Sequence, residues 1–165
     1  SFSIKKSTTF KLTSSAFKDG KQIPIKYTCD GGGTRVTLKT SGIPADSKAL
    51  VLFLDDLDGT PKLTNTTTDW NHWVVFNIPL VSLIKTNSPP TSSTVGTNDA
   101  NDHDFDPICP SGEKGFRDKH TYRFTLYALD SKIEGEPDST RAQIKSAMDG
   151  KILKQVTLDG YYGTE

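Results

Sequence analysis

Short apolar runs separated by turn residues set the rhythm of this chain. Thr9-Phe10-Lys11-Leu12 alternates polar and apolar positions, the period of a half-buried strand. Residues 49–54 and 73–78 are apolar runs short enough for strands buried on both faces; Asp55-Asp56 ends the first and Pro79 closes the second. Residues 122–129 set Tyr122, Phe124, Leu126 and Ala128 on one face, opposite Arg123, Thr125 and Tyr127. Residues 156–158 give a short final strand, and Asp30-Gly31-Gly32-Gly33 reads as a turn.

One segment has a helical period. Asp138 or Ser139 supplies the capping oxygen, Ile144, Ala147 and Met148 share a face, and Gly150 offers a left-handed stop. Many strands and one late helix predict a mainly-β fold, an antiparallel Greek-key β-sandwich with a short helix toward the C-terminal end. The 165 residues fit one domain, with 1–12 as an N-terminal extension or a strand. Residues 60–69 and 86–106 are polar, and long loops inside a compact domain are often functional.

Charge narrows the function. Twenty basic residues balance twenty acidic ones, so no broad field holds nucleic acid or an anionic membrane. Contact with a membrane would be peripheral at most. No apolar stretch approaches the roughly 20 residues of a bilayer span. Lys5 and Lys6 precede no apolar run, so the start is not a signal peptide. A first residue Ser1 is compatible with earlier trimming. The expected location is cytoplasmic, with a periplasmic or secreted chain as the alternative. Cys29 and Cys109 form one disulfide or stay as free thiols, and neither belongs to a CxxC zinc spacing.

The residues with chemistry sit where strands end. Asp56 and Asp58 follow one apolar run, His72 opens the next, and His120 opens residues 122–129 behind the loop Asp106-Pro107-Ile108-Cys109-Pro110-Ser111-Gly112. If those strands are neighbours with matching ends, one aspartate and two histidines converge at one edge. His103 lies in an acidic run that lacks the glycine and terminal glutamate of a calcium loop, so a solvated loop is expected there. Asn65-Thr66-Thr67 is a glycosylation sequon by pattern alone. A hydrolytic triad can be written from His, Asp and Ser111. No G-x-S-x-G elbow supports it, and Cys109 lacks a nucleophile's local signature. Neither an enzyme, nor a cofactor, nor a bound metal is expected.

Four ordered pieces of sequence resemble the phosphatidylethanolamine-binding (Raf-kinase-inhibitor-like) family, in its bacterial-style branch. They are Asp56-Leu57-Asp58 with Pro61; Trp70-Asn71-His72-Trp73-Val74-Val75-Phe76-Asn77-Ile78-Pro79; Pro107-Ile108-Cys109-Pro110-Ser111-Gly112 with His120-Thr121-Tyr122; and Ala147-Met148-Asp149-Gly150 with Leu158-Asp159-Gly160-Tyr161-Tyr162-Gly163. The resemblance implies a shallow anion pocket lined by Asp56, Trp70, His72, Pro107, Pro110, His120, Tyr122 and Tyr162. It implies a phosphate-bearing small molecule or a phospholipid headgroup as ligand, or alternatively a kinase or protease bound and inhibited through the same pocket and loops. Protonated imidazoles would donate charge-assisted hydrogen bonds to phosphate oxygens, and Asp56 would orient a histidine. The chain departs from the pattern at Asp106, where a glycine is common, and at Ile108 and Thr60. It also has a longer loop before His120 that carries Lys114, Arg117 and Lys119.

Overall fold

A computed structural model describes residues 9–59 and 69–164. Lys5, Lys6, Thr60, Pro61, the sequon at Asn65 and most of the 60–69 loop lie outside the described residues. The described chain is mainly β. Its strands are β1 (Lys11–Ser14), β2 (Lys21–Gln22), β3 (Thr37–Ser41), β4 (Ala49–Asp56), β5 (Trp70–Ile78), β6 (Leu83–Lys85), β7 (Thr94–Val95), β8 (His120–Leu129) and β9 (Ile152–Tyr162), with helix α1 (Arg141–Ala147) before β9.

Two sheets form, one of three strands in the order β1-β3-β6 and one of six in the order β2-β9-β8-β4-β5-β7. The pairings are antiparallel except β2 with β9, where two residues of an edge strand run parallel. That edge corrects the expected purely antiparallel arrangement. Strand β4 lies between β5 and β8, so its flanks are paired on both sides, and all eight of its residues are buried.

The six-stranded sheet buries both faces because its central strands are apolar at successive positions. Leu50, Leu52, Leu54, Trp73, Val75, Phe124 and Leu126 belong to the larger core, which also takes in Leu12 and Leu38 of the smaller sheet. Val51, Phe53, Val74, Phe76, Tyr127 and Leu129 face the other way and pack against Ile144 and Met148 of the α1 region. The predicted helical face is therefore the buried one. The cap differs from expectation: Thr140, not Asp138 or Ser139, accepts from Gln143 N while the Gln143 side chain accepts from Thr140 N. This reciprocal pair satisfies two amides where a lone cap would satisfy one.

Asp55 and Asp56 do not end β4 but complete it. Asp55 points to the helix side, where Arg141 donates from Nε at 2.9 Å and from Nη2 at 2.9 Å. Burial pushes its carboxyl above the ordinary range, against the pull of Arg141. Asp56 points the opposite way, into the site.

Candidate functional site

Sheet register aligns the polar ends of three strands. Asp56 pairs with Trp70 on one side and with Tyr122 on the other, and His120 stands opposite Tyr162. Paired residues share a face, so Trp70, Asp56 and Tyr122 form a row across the sheet, with His120 one step beyond. His72 joins them through a bulge. Leu54 pairs with Trp73, but the next residue, Asp55, pairs with Asn71, which leaves His72 as the extra residue of β5. Without that insertion alternation would turn His72 toward the α1 side with Val74. Asn71 holds the bulge from beneath, its Nδ2 donating to Leu54 O, Asp55 Oδ1 and Trp73 O.

A cavity of about 250 Å³ opens over this row, lined by Asp56, Gly59, Trp70, His72, Asp106, Pro107, Cys109, Pro110, Ser111 and His120. Gly59 is required at its rim, because a Cβ there would meet Trp70 Cβ at 2.6 Å.

Both histidines are held through Nδ1. His72 Nδ1 donates to the backbone carbonyl of Asp106 at 2.8 Å, and the Asp106 carboxylate lies 3.5 Å from the same nitrogen. A carbonyl only accepts, so Nδ1 carries the hydrogen. His120 Nδ1 donates to Asp56 Oδ2 at 2.7 Å, and Asp56 Oδ1 also accepts from Asp58 N. Among the described residues neither Nε2 has a protein partner. The Asp106 carboxylate is fixed in turn by the Trp70 indole, which donates to it at 3.0 Å.

Tyr122 stands behind the two imidazoles, its ring centroid 5.5 Å from that of His72 and 6.4 Å from that of His120. It is 1% exposed, and its hydroxyl is a buried polar atom without a hydrogen-bond partner. Burial, then the Asp56 and Asp106 carboxylates, hold the phenol far above its ordinary value, so it stays protonated. Asp56 is near enough to act on it but outside hydrogen-bonding geometry.

The loop is pinned from outside the pocket. Cys29 and Cys109 are bonded to each other, with Cα atoms 5.4 Å apart, which decides between disulfide and free thiols. Cys29 N donates to Ile108 O at 3.1 Å, and Ile108 is buried in the core. Arg117 donates from Nε and Nη2 to Asp30 and from Nη1 to Pro110 O and Gly112 O. It braces the loop and does not line the cavity. Lys119 lies over the Tyr161 ring at 4.5 Å. The extra basic residues of this loop therefore do not line the cavity.

The expected lining is brought together at Asp56, Trp70, His72, Pro107, Pro110 and His120, while Tyr122 is buried behind the two imidazoles and does not itself line the cavity. Tyr162 is not part of it. Although it pairs with His120 in register, its hydroxyl donates to Asp30 Oδ2 at 2.7 Å, and its ring lines a separate cavity with Gln22, Ile25 and Arg117. Asp106 stood in the sequence as a departure from a pattern and not as a site residue; its backbone and side chain both belong to the site. Elsewhere, His103 Nδ1 lies 3.1 Å from Thr97 Oγ1 on the exposed surface.

A family model described as "Phosphatidylethanolamine-binding protein" matches residues 13–163. A UPF0098 protein of Methanothermobacter thermautotrophicus is 36% identical over 157 residues, covering 92% of this chain and 97% of the relative. A UPF0098 protein of Chlamydia trachomatis is 37% identical over 153 residues with the same coverage. The crystal structure of a phosphatidylethanolamine-binding protein homologue from Chlamydia trachomatis superposes with a TM-score of 0.81 at 35% identity, over 94% of this chain and 98% of that one. Escherichia coli YbcL gives 0.78 at 26% identity, over 94% and 99% of the two chains.

Proposed function

The chain belongs to the phosphatidylethanolamine-binding protein family, and from that premise we propose that its pocket is a binding site for a phosphate-bearing group, either a small phosphoester or a phospholipid headgroup. One observation carries the reading. Two imidazoles from adjacent regions of one sheet are each anchored through Nδ1, which commits each Nε2 to whatever enters the cavity. Protonated, they form a pair of charge-assisted donors on rigid strands. The small cavity, below the ~300–1,000 Å³ of typical drug-sized sites, suits a headgroup and leaves any acyl chains outside.

The site reads as one that holds a ligand and does not turn it over. The Cys109 sulfur is consumed in the disulfide, so it offers no thiolate. A second reading is a regulatory protein that docks a kinase or protease through the same pocket and its loops. Its support is Phe116, 81% exposed on the loop that continues from the pocket rim. The pairing of Cys29 with Cys109 favours an oxidising compartment, periplasmic or extracellular, over the cytoplasm. Among the described residues no helix is long and apolar enough to cross a membrane.

Calorimetric titration near pH 6 with O-phosphoethanolamine and with inorganic phosphate tests the reading. Saturable binding is expected, and each of His72→Ala and His120→Ala should weaken it roughly ten- to hundredfold, the value of one hydrogen bond to a charged group. Heat absent to several millimolar, or binding indifferent to both substitutions, would remove the pocket from the function.

A further inference from the structure

The candidate pocket is acidic for an anion site. Asp56 faces His120 from β4 at 2.7 Å, and Asp106 faces His72 from the loop at 3.5 Å. Trp70 on β5 meets Asp106, Tyr122 on β8 presents a neutral phenol to both rings, and Asp58 accepts from Thr121 N beside His120. Among the described residues no lysine or arginine lines the cavity. The arginines near this end are committed elsewhere, Arg117 to Asp30 and Arg123 to Asp159.

The tautomers sharpen the problem. Each Nδ1 donates to an oxygen, so a neutral ring can present only a lone pair at Nε2, which repels a phosphate oxygen as the two carboxylates do. With both rings neutral and both carboxylates ionised the described part of the lining carries two negative charges; with both rings protonated it carries none. Accepting the reading of this cavity as an anion site, we propose that anion capture here is coupled to proton uptake at the two imidazoles, and that the Asp106 charge adds to the cost of capture. Each neutral ring opposes an anion through its Nε2 lone pair, so each calls for one proton. The Asp106 carboxylate, held against His72 by the Trp70 indole, repels the anion as well.

The coupling also determines specificity. A phosphomonoester has a second pKa near 6 and can bring its own proton, as the monoanion donating from P–OH to Nε2. An ethanolamine ester brings an ammonium that offsets the Asp106 charge. Sulfate stays fully ionised through the same range and can do neither, so it is discriminated against as the pH rises.

Sulfate and inorganic phosphate titrated into the protein and into Asp106→Asn test this, at about pH 5.5 and about pH 8, in buffers of different ionisation enthalpy. The amide keeps an acceptor for the Trp70 indole and removes the charge; matching thermal melts check that the variant is folded. We expect between one and two protons taken up per sulfate at about pH 8 and fewer at about pH 5.5, where imidazoles are already largely charged, with affinity falling about tenfold per pH unit for each proton linked. In Asp106→Asn the uptake should persist, because His72 Nδ1 still donates to the backbone carbonyl of residue 106, while sulfate affinity at about pH 8 should rise several-fold with the repelling charge removed. Sulfate bound at about pH 8 without proton uptake, or with an affinity there no higher in the variant, overturns the proposal while leaving the anion site in place. No binding of either anion at any pH overturns the coupling together with the reading on which it rests.

Discussion

The hydroxyl of Tyr122 is buried, lacks a hydrogen-bond partner and is held protonated by its surroundings. Leaving such a group unsatisfied costs about 1–3 kcal/mol. Tyr122→Phe should therefore leave stability unchanged or raise it by about 1 kcal/mol, read from urea midpoints. If a ligand oxygen reaches the phenol, the same change should weaken binding several-fold. Asp30 presents the opposite case. Hydrogen bonds from Arg117 and then Tyr162 hold its carboxyl below the ordinary range. A lowered folded pKa contributes stability that is present above the unfolded pKa, near 4, and is lost as the pH falls through the folded value. Asp30→Asn should thus destabilise the protein at neutral pH, with the gap to the unmodified protein closing under acid. A gap that stays constant down to pH 2–3 would contradict the assigned shift. At this scale Asp56, His72 and His120 were legible because each borders an apolar run. Asp106 was not, since an acidic residue in a polar loop gives no sign that its carbonyl and carboxylate will both meet His72.

At the scale of elements, legibility followed apolar content. Strands β4, β5 and β8 announce themselves as runs, although their polar ends at Asp55, Asp56, Trp70 and His120 extend them, because side-chain hydrogen bonds satisfy the polar groups there. Strand β3 reads TLKTS with one apolar residue, and β2 and β7 have two residues each, so no period marks them. The bulge that turns His72 into the pocket is a property of pairing, not of β5 alone, and alternation along one strand would aim that ring wrongly. The pocket loop has its order imposed by the Cys29–Cys109 bond, which spans 80 residues of sequence. In the chain-entropy model such a closure stabilises by about 4 kcal/mol. Cys29→Ser with Cys109→Ser should lower the urea midpoint by a corresponding amount. It should also weaken phosphate binding more than Cys29 alone would suggest, since Cys109 itself lines the cavity. Full phosphate affinity in the double variant would show that Ile108 burial and the Arg117 brace position the loop unaided.

For the whole molecule, the six-stranded sheet separates two tasks. One face packs on the α1 region and is closed by the Asp55–Arg141 pair; the other meets the smaller sheet and, at the ends of β4, β5 and β8, opens into the pocket. The mainly-β architecture could be read from strand content and turn spacing. The pairing order that brings residues 56, 72 and 120 together could only be posed as a condition, because register depends on partners far along the chain. His72 and His120 are expected to act together on one anion. The most direct test is an imidazole-proton NMR titration with inorganic phosphate near pH 6. His103, whose ring contacts Thr97 on the exposed surface, serves as the internal control. Saturable shifts with a single affinity are expected at His72 and His120 and none at His103. Shifts of equal size at all three rings, or none at His72 and His120 to several millimolar, would contradict that expectation.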